Sequence, residues 1–200
     1  MDIHEIIGTV AVVVYFVGII PYFLDTFRGE TRPNRVTWFG WTLLTWTAAL
    51  IQSTHGADAS VMIVYAAAVM DTLVFVLSLY RGVVLFSLTD ALSLVLGICA
   101  FVVWLLLDAP AIALVFNIVA DISFGIPTIV KAWKTPKSES QTAWFIGALS
   151  IGLALLAKTN FDFINTAFPL YLFILNTFIF IFTIGFFQKI WRQCFQKQLT

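Results

Sequence analysis

Gly18-Ile-Ile-Pro-Tyr-Phe-Leu-Asp-Thr-Phe-Arg-Gly-Glu-Thr-Arg-Pro-Asn-Arg-Val-Thr-Trp38 returns 106 positions later as Phe124-Gly-Ile-Pro-Thr-Ile-Val-Lys-Ala-Trp-Lys-Thr-Pro-Lys-Ser-Glu-Ser-Gln-Thr-Ala-Trp144. Identity is low, and apolar sequence matches itself by chance, so the weight falls on the rare residues. At this one offset Ile20-Pro21 meets Ile126-Pro127, Trp38-Phe39 meets Trp144-Phe145, and each basic loop falls on its counterpart. Leu43, Ala48, Leu50 and Tyr65 then meet Leu149, Ala154, Leu156 and Tyr171 without a gap. A repeat of this length is a supersecondary unit used twice.

The unit is built of apolar helices. The chain is 60% hydrophobic and 11% charged, with a mean hydropathy of +0.96, against about 25% charge in a soluble domain. Runs near 5–27, 37–53, 60–80, 88–107, 110–132, 142–158 and 166–188 are read as seven spans of about 20 residues each. They lack the alternation of a lipid-facing barrel strand, so helices must satisfy the backbone. The start, Met1 to Glu5, is acidic, and Ile6–Phe27 reads as a retained first span and not a cleaved signal. With the N-terminus outside, ten of the eleven Lys and Arg fall on the cytoplasmic side and only Lys158 outside, as the positive-inside rule requires. Eleven acidic residues balance the eleven basic ones, which excludes a nucleic-acid binder. Cys99 and Cys194 indicate no disulfide framework.

An offset of four spans keeps the two triplets in one orientation. The expected fold is therefore an all-α integral membrane protein, seven transmembrane helices as two parallel three-helix repeats joined by a linker helix (3+1+3). The divisions are 1–82 for the first repeat, 83–109 for the linker helix, 110–190 for the second repeat and 191–200 for a cytoplasmic tail. The quoted segments resemble the PQ-loop repeat, whose superfamily includes the SWEET sugar carriers and lysosomal amino-acid exporters. Its motif is a Pro-Gln near the cytoplasmic end of the first helix of each triplet; here Tyr22 follows Pro21 and Thr128 follows Pro127. The resemblance implies a transporter working by alternating access, with aromatic and Asn side chains around its substrate.

Intramembrane polar residues are expensive and mark sites by default. At about 1.5 Å per residue, Tyr15, Asp71, Asp121 and Asn176, on spans 1, 3, 5 and 7, share one level about 15–17 Å deep. Thr45 on span 2 reaches that level, Asn117 lies one turn above Asp121 on the same face, and Trp41 lies a turn from Thr45. These seven are the expected substrate-binding residues, with Asp71 and Asp121 as substrate contacts or proton carriers; the alternative is that they only pack helices. Parallel-repeat carriers bind substrate at this level beside interrupted helices, and Pro21 and Pro127 are the expected hinges. Trp38 and Trp144 read as interfacial anchors, Asp90 with Ser87 and Thr89 as a helix cap, and Asp25 and Lys131 as gate contacts to the opposite half.

No His-Glu-x-x-His, Gly-x-Ser-x-Gly or Walker loop occurs, His4 and His55 stand alone, and the seventh span has no lysine before Lys189 for a retinal Schiff base. No enzyme, cofactor or metal is expected. The expected partners are a small polar solute such as a sugar, amino acid or vitamin, a proton as candidate coupling ion, and the lipid bilayer; homo-oligomerisation stays open. A bacterial inner membrane is the expected location. A ligand- or peptide-binding receptor of the same fold, or a structural subunit, remains the alternative.

Overall fold

The computed structural model describes residues 2–29, 32–84, 86, 88–136 and 140–185, and of Thr89, Pro127 and Lys131 the backbone alone. The expected tail 191–200, with Lys189, Arg192, Lys197 and Cys194, lies outside the described residues, as do Ser87 and Lys137. Seven helices follow in order among them: α1 (Ile3–Arg28), α2 (Arg35–Thr54), α3 (Val61–Arg81), α4 (Leu88–Leu107), α5 (Pro110–Lys134), α6 (Gln141–Leu156) and α7 (Phe163–Thr183). A single backbone bridge, Asn34 to Val83, is the other regular pairing.

Local chemistry sets the boundaries. Asp2 caps α1 in a reciprocal capping box with Glu5, and Gly29 ends it in the left-handed region at φ 83°. The side chains of Asn34, Ser140 and Asp162 accept the N–H groups of Val36, Ala143 and Asn165 at the starts of α2, α6 and α7. The Asp162 cap starts α7 three residues before the span expected from hydropathy, and Gly185, at φ 70°, follows its end at Thr183. α4 opens at Leu88, so Asp90 sits buried in its first turn.

The result is an all-α membrane protein. α1, α3, α4 and α7 are each long and apolar enough to cross a bilayer, and α5 is a fifth if its two parts, Pro110–Ile126 and Thr128–Lys134, bent by 40°, count as one span. α6 has 16 residues, and α2 carries threonines at 37, 42, 45, 47 and 54; neither meets that measure. Apolar stripes stay uncovered, as on α1 at Val10, Val13, Val17, Ile20, Leu24 and Phe27. A soluble monomer does not leave such stripes to water. The bend in α5 coincides with Pro127, whereas α1 runs through Pro21 as one helix.

The helix contacts fall into pairs related by the 106-residue offset. α1 lies on α3 and α5 on α7; α2 lies on α3 and α6 on α7; across the halves, α1 meets α6 as α5 meets α2, while α4 covers α5 and α2. Each pair is its partner moved by 106 positions. At the two cross-half contacts a glycine faces a bulky side chain. A Cβ on Gly18 would fall 2.6 Å from Ile146 Cγ2, and one on Gly40 would overlap the Phe124 ring. Gly18 corresponds to Phe124 and Gly40 to Ile146, so the small and large roles are exchanged between the joints. Close approach at small residues is how helices gain van der Waals contact in lipid, where no hydrophobic force draws them together.

Both helix ends nearest the basic loops are closed by equivalent residues. Arg35 donates to the Ser78 and Gly82 carbonyls (3.0 and 3.2 Å), at the end of α3. Gln141, 106 positions on, donates to the Thr183 carbonyl (2.7 Å) at the end of α7.

Candidate functional site

Four helices hold the two buried acids. Asp71 on α3 accepts a hydrogen bond at Oδ2 from the Thr45 hydroxyl of α2 (3.1 Å). Asp121 on α5 accepts one at Oδ2 from the Tyr171 hydroxyl of α7 (2.7 Å). Both acids are buried, at 8% and 4% exposure, and their carboxyls lie within electrostatic reach of one another. Tyr15 on α1 is within reach of Asp71, and its hydroxyl makes no hydrogen bond to a described residue.

Asn117, fully buried one turn from Asp121 on the same face of α5, donates its Nδ2 to the Leu44 carbonyl of α2 (3.0 Å). That bond fixes the amide, because only the nitrogen can donate to a carbonyl. Asn117 Oδ1 is left buried without a partner. Leu44 precedes Thr45, so the Asn117 amide ties α5 to the helix whose Thr45 holds Asp71.

One helical turn away the layer is apolar. Ala11, Ala48, Val64, Leu114 and Phe168, all at 0% exposure, form one cluster with Ile151 and Ala154. Each lies three to seven positions from Tyr15, Thr45, Asp71, Asn117 and Tyr171 respectively, toward the loops that carry Asp58 and Asp162. On that side the acids are sealed by packed hydrocarbon.

Beyond the seal the α2–α3 and α6–α7 loops are tied to each other. Asp58 Oδ2 accepts the backbone N–H groups of Thr159 (2.6 Å) and Asn160 (2.7 Å), while its Oδ1 accepts the N–H and hydroxyl of Ser60. Asn160 Nδ2 donates to the Gly56 carbonyl and Asn165 Nδ2 to the His55 carbonyl. Burial pushes the Asp58 carboxyl up, but the bonds from Asn160 N–H, the Ser60 hydroxyl, Thr159 N–H and Ser60 N–H outweigh it and hold the group at about 2. Lys158 is buried here and donates to the Asn165 carbonyl (3.0 Å). Burial lowers its pKa, against the opposing pull of Asp58 and Asp162.

Of the seven expected site residues, the structure brings together Tyr15, Thr45, Asp71, Asn117 and Asp121. Asn176 turns elsewhere. It donates to the Leu172 carbonyl of its own helix, and its Oδ1 lies against Gly147 of α6. Trp41 packs on the cluster of Leu44, Ala120 and Phe124 and edge-on to Trp38. Trp38 is not an interfacial anchor: it is 7% exposed, stacked between Tyr22 and Trp41. Asp25 lies 3.9 Å from Arg28 on its own helix, and the Lys131 side chain, its expected gate counterpart, lies outside the described atoms. Sequence reasoning missed Tyr171, although its pairing with Tyr65 across the repeat marked it, and it missed Asp58, which no motif marks. Among the described residues no three His, Cys, Asp or Glu could hold a metal ion.

No protein-family model, no curated protein and no solved structure matches the chain.

Proposed function

We propose that the chain is a carrier for a small polar solute, facilitated or proton-coupled, in which two three-helix halves of like orientation move about the Asp71–Asp121 layer. In this reading all seven helices cross the bilayer, α4 links the halves, the N-terminus is outside and the basic loops are cytoplasmic, as in a bacterial inner membrane. The observation that carries it is the pair of buried acids from opposite halves at one level, with an apolar seal on one side. An ionisable group at that depth is retained at a cost of several kcal/mol and implies use.

Three further features support it. The contacts between helices follow the repeat, the Gly18–Ile146 and Gly40–Phe124 joints are related by it, and the bend at Pro127 gives α5 a movable end. Hydrogen bonds between the Asp58 and Asn160 loops close the end of the bundle away from the basic loops. α2 and α6 cross as short or threonine-rich helices because they are covered by neighbours and need less hydropathy of their own.

Counterflow in proteoliposomes tests the reading with a panel of labelled sugars, amino acids and vitamins. Exchange of at least one solute is expected, falling tenfold or more in Asp121→Asn or Asp71→Asn protein that still inserts. Unchanged exchange in both variants would overturn it. Binding without exchange would mark a receptor.

A further inference from the structure

The solute layer is rich in acceptors and holds no positive charge. Neither Asp71 nor Asp121 hydrogen-bonds or ion-pairs with a Lys, Arg or His among the described residues; their partners are the Thr45 and Tyr171 hydroxyls. Each of those bonds goes to Oδ2, so Oδ1 of each acid makes no hydrogen bond to a described residue. Asn117 Oδ1, buried one turn from Asp121 on α5, is the third free acceptor. An unpartnered carboxamide oxygen in a fully buried side chain costs about 1–3 kcal/mol, and a charged group in the membrane is compensated by a partner.

We infer that a primary ammonium group of the transported solute is held between Asp71, Asp121 and Asn117. The inference rests on the carrier reading and names its substrate class. An ammonium carries three N–H donors and no acceptor, which matches three oxygens that make no hydrogen bond to a described residue. A sodium or potassium ion asks for a larger oxygen shell than three ligands supply. A sugar brings acceptors of its own that find no donor here beyond the Tyr15 hydroxyl. Tyr15, from α1, supplies an aromatic wall for the remainder of the solute and for a cation beside it.

The test is ligand-induced stabilisation of the purified full-length protein at neutral pH. Ethanolamine, butylamine and phenethylamine hydrochlorides are compared with their matched neutral alcohols, ethylene glycol, butanol and phenethyl alcohol, and with sodium and potassium chloride alone. At least one amine is expected to raise the unfolding temperature where its alcohol does not, with affinity about tenfold weaker in Asp121→Asn and in Asn117→Ala. Equal action by the alcohols, full effect from either salt alone, or no response to any amine would overturn the inference. The contrast between amine and alcohol is read on the unaltered chain, so it stands even where a variant does not fold. Amine binding without counterflow would retire the carrier and keep the ammonium site. Exchange of neutral solutes without an amine response would do the reverse.

Discussion

Asp58→Asn removes a charge and almost no volume from the tie between the two loops. The carboxylate serves five donors: Thr159 N–H, the Thr159 hydroxyl and Asn160 N–H on Oδ2, and Ser60 N–H and hydroxyl on Oδ1. An asparagine amide can face only one of these two sets with its oxygen and must turn an NH2 toward the other. A carboxyl held at about 2 instead of its ordinary 3.8 corresponds to about 2.5 kcal/mol, which partial exposure to solvent reduces to roughly 1–2 kcal/mol. Because the folded value is depressed, the stabilisation is complete above about pH 4 and is lost as pH falls toward 2. Thermal unfolding of detergent-purified protein measures it. At neutral pH the variant should unfold roughly 3–6 °C lower, and the fall in unfolding temperature that the native chain shows between pH 4 and 2.5 should be shallower. Equal unfolding temperatures and equal acid slopes would refute the reasoning, because the loops would then be joined by something other than this carboxylate.

Gly40→Leu should destabilise the chain by about 1–3 kcal/mol through overpacking against Phe124, with part of the loss recovered by Phe124→Ala in the same chain; denaturant titration of the single and double variants reads the coupling. Arg35→Ala should cost about 1–3 kcal/mol by freeing the Gly82 carbonyl and leaving the Ser78 carbonyl to the Gly82 N–H alone, and faster amide exchange should be confined to the end of α3 and the following loop. The lowered pKa of Lys158 means the folded state binds its proton less tightly than the unfolded one. Its charge therefore costs stability below the folded value, and the cost is relieved as pH rises toward 10.5. Lys158→Gln should flatten the alkaline rise in unfolding temperature.

The helices were legible because long apolar runs broken by Arg28–Arg35, Ser53–Asp58 and Lys158–Asp162 leave little choice of boundary. The capping residues Asn34, Ser140 and Asp162 stand where those runs begin. Proximity was legible too: counting residues along each helix grouped Tyr15, Thr45, Asp71, Asn117 and Asp121, and these fall in one region of the bundle. Direction was not. Asn176 shares α7 with Tyr171, but the five positions between them place it round the helix, where it meets Gly147 of α6. Which face of a helix looks inward depends on its neighbours when nearly every residue is apolar. For the same reason Trp38, read as an anchor beside a basic loop, is packed inside between Tyr22 and Trp41. The Asp58 tie joins residues about a hundred positions apart, and no local pattern announces it.

The exchanged glycines at the Gly18–Ile146 and Gly40–Phe124 joints have a consequence for assembly from pieces. If the front segment associated with a second copy of itself, Gly18 would oppose Gly40 and leave two gaps; the rear segment doing likewise would force Phe124 against Ile146. Each segment is shaped for the other and poorly for its own likeness. Two co-expressed pieces, severed between α4 and α5, are therefore expected to find each other in preference to forming twins.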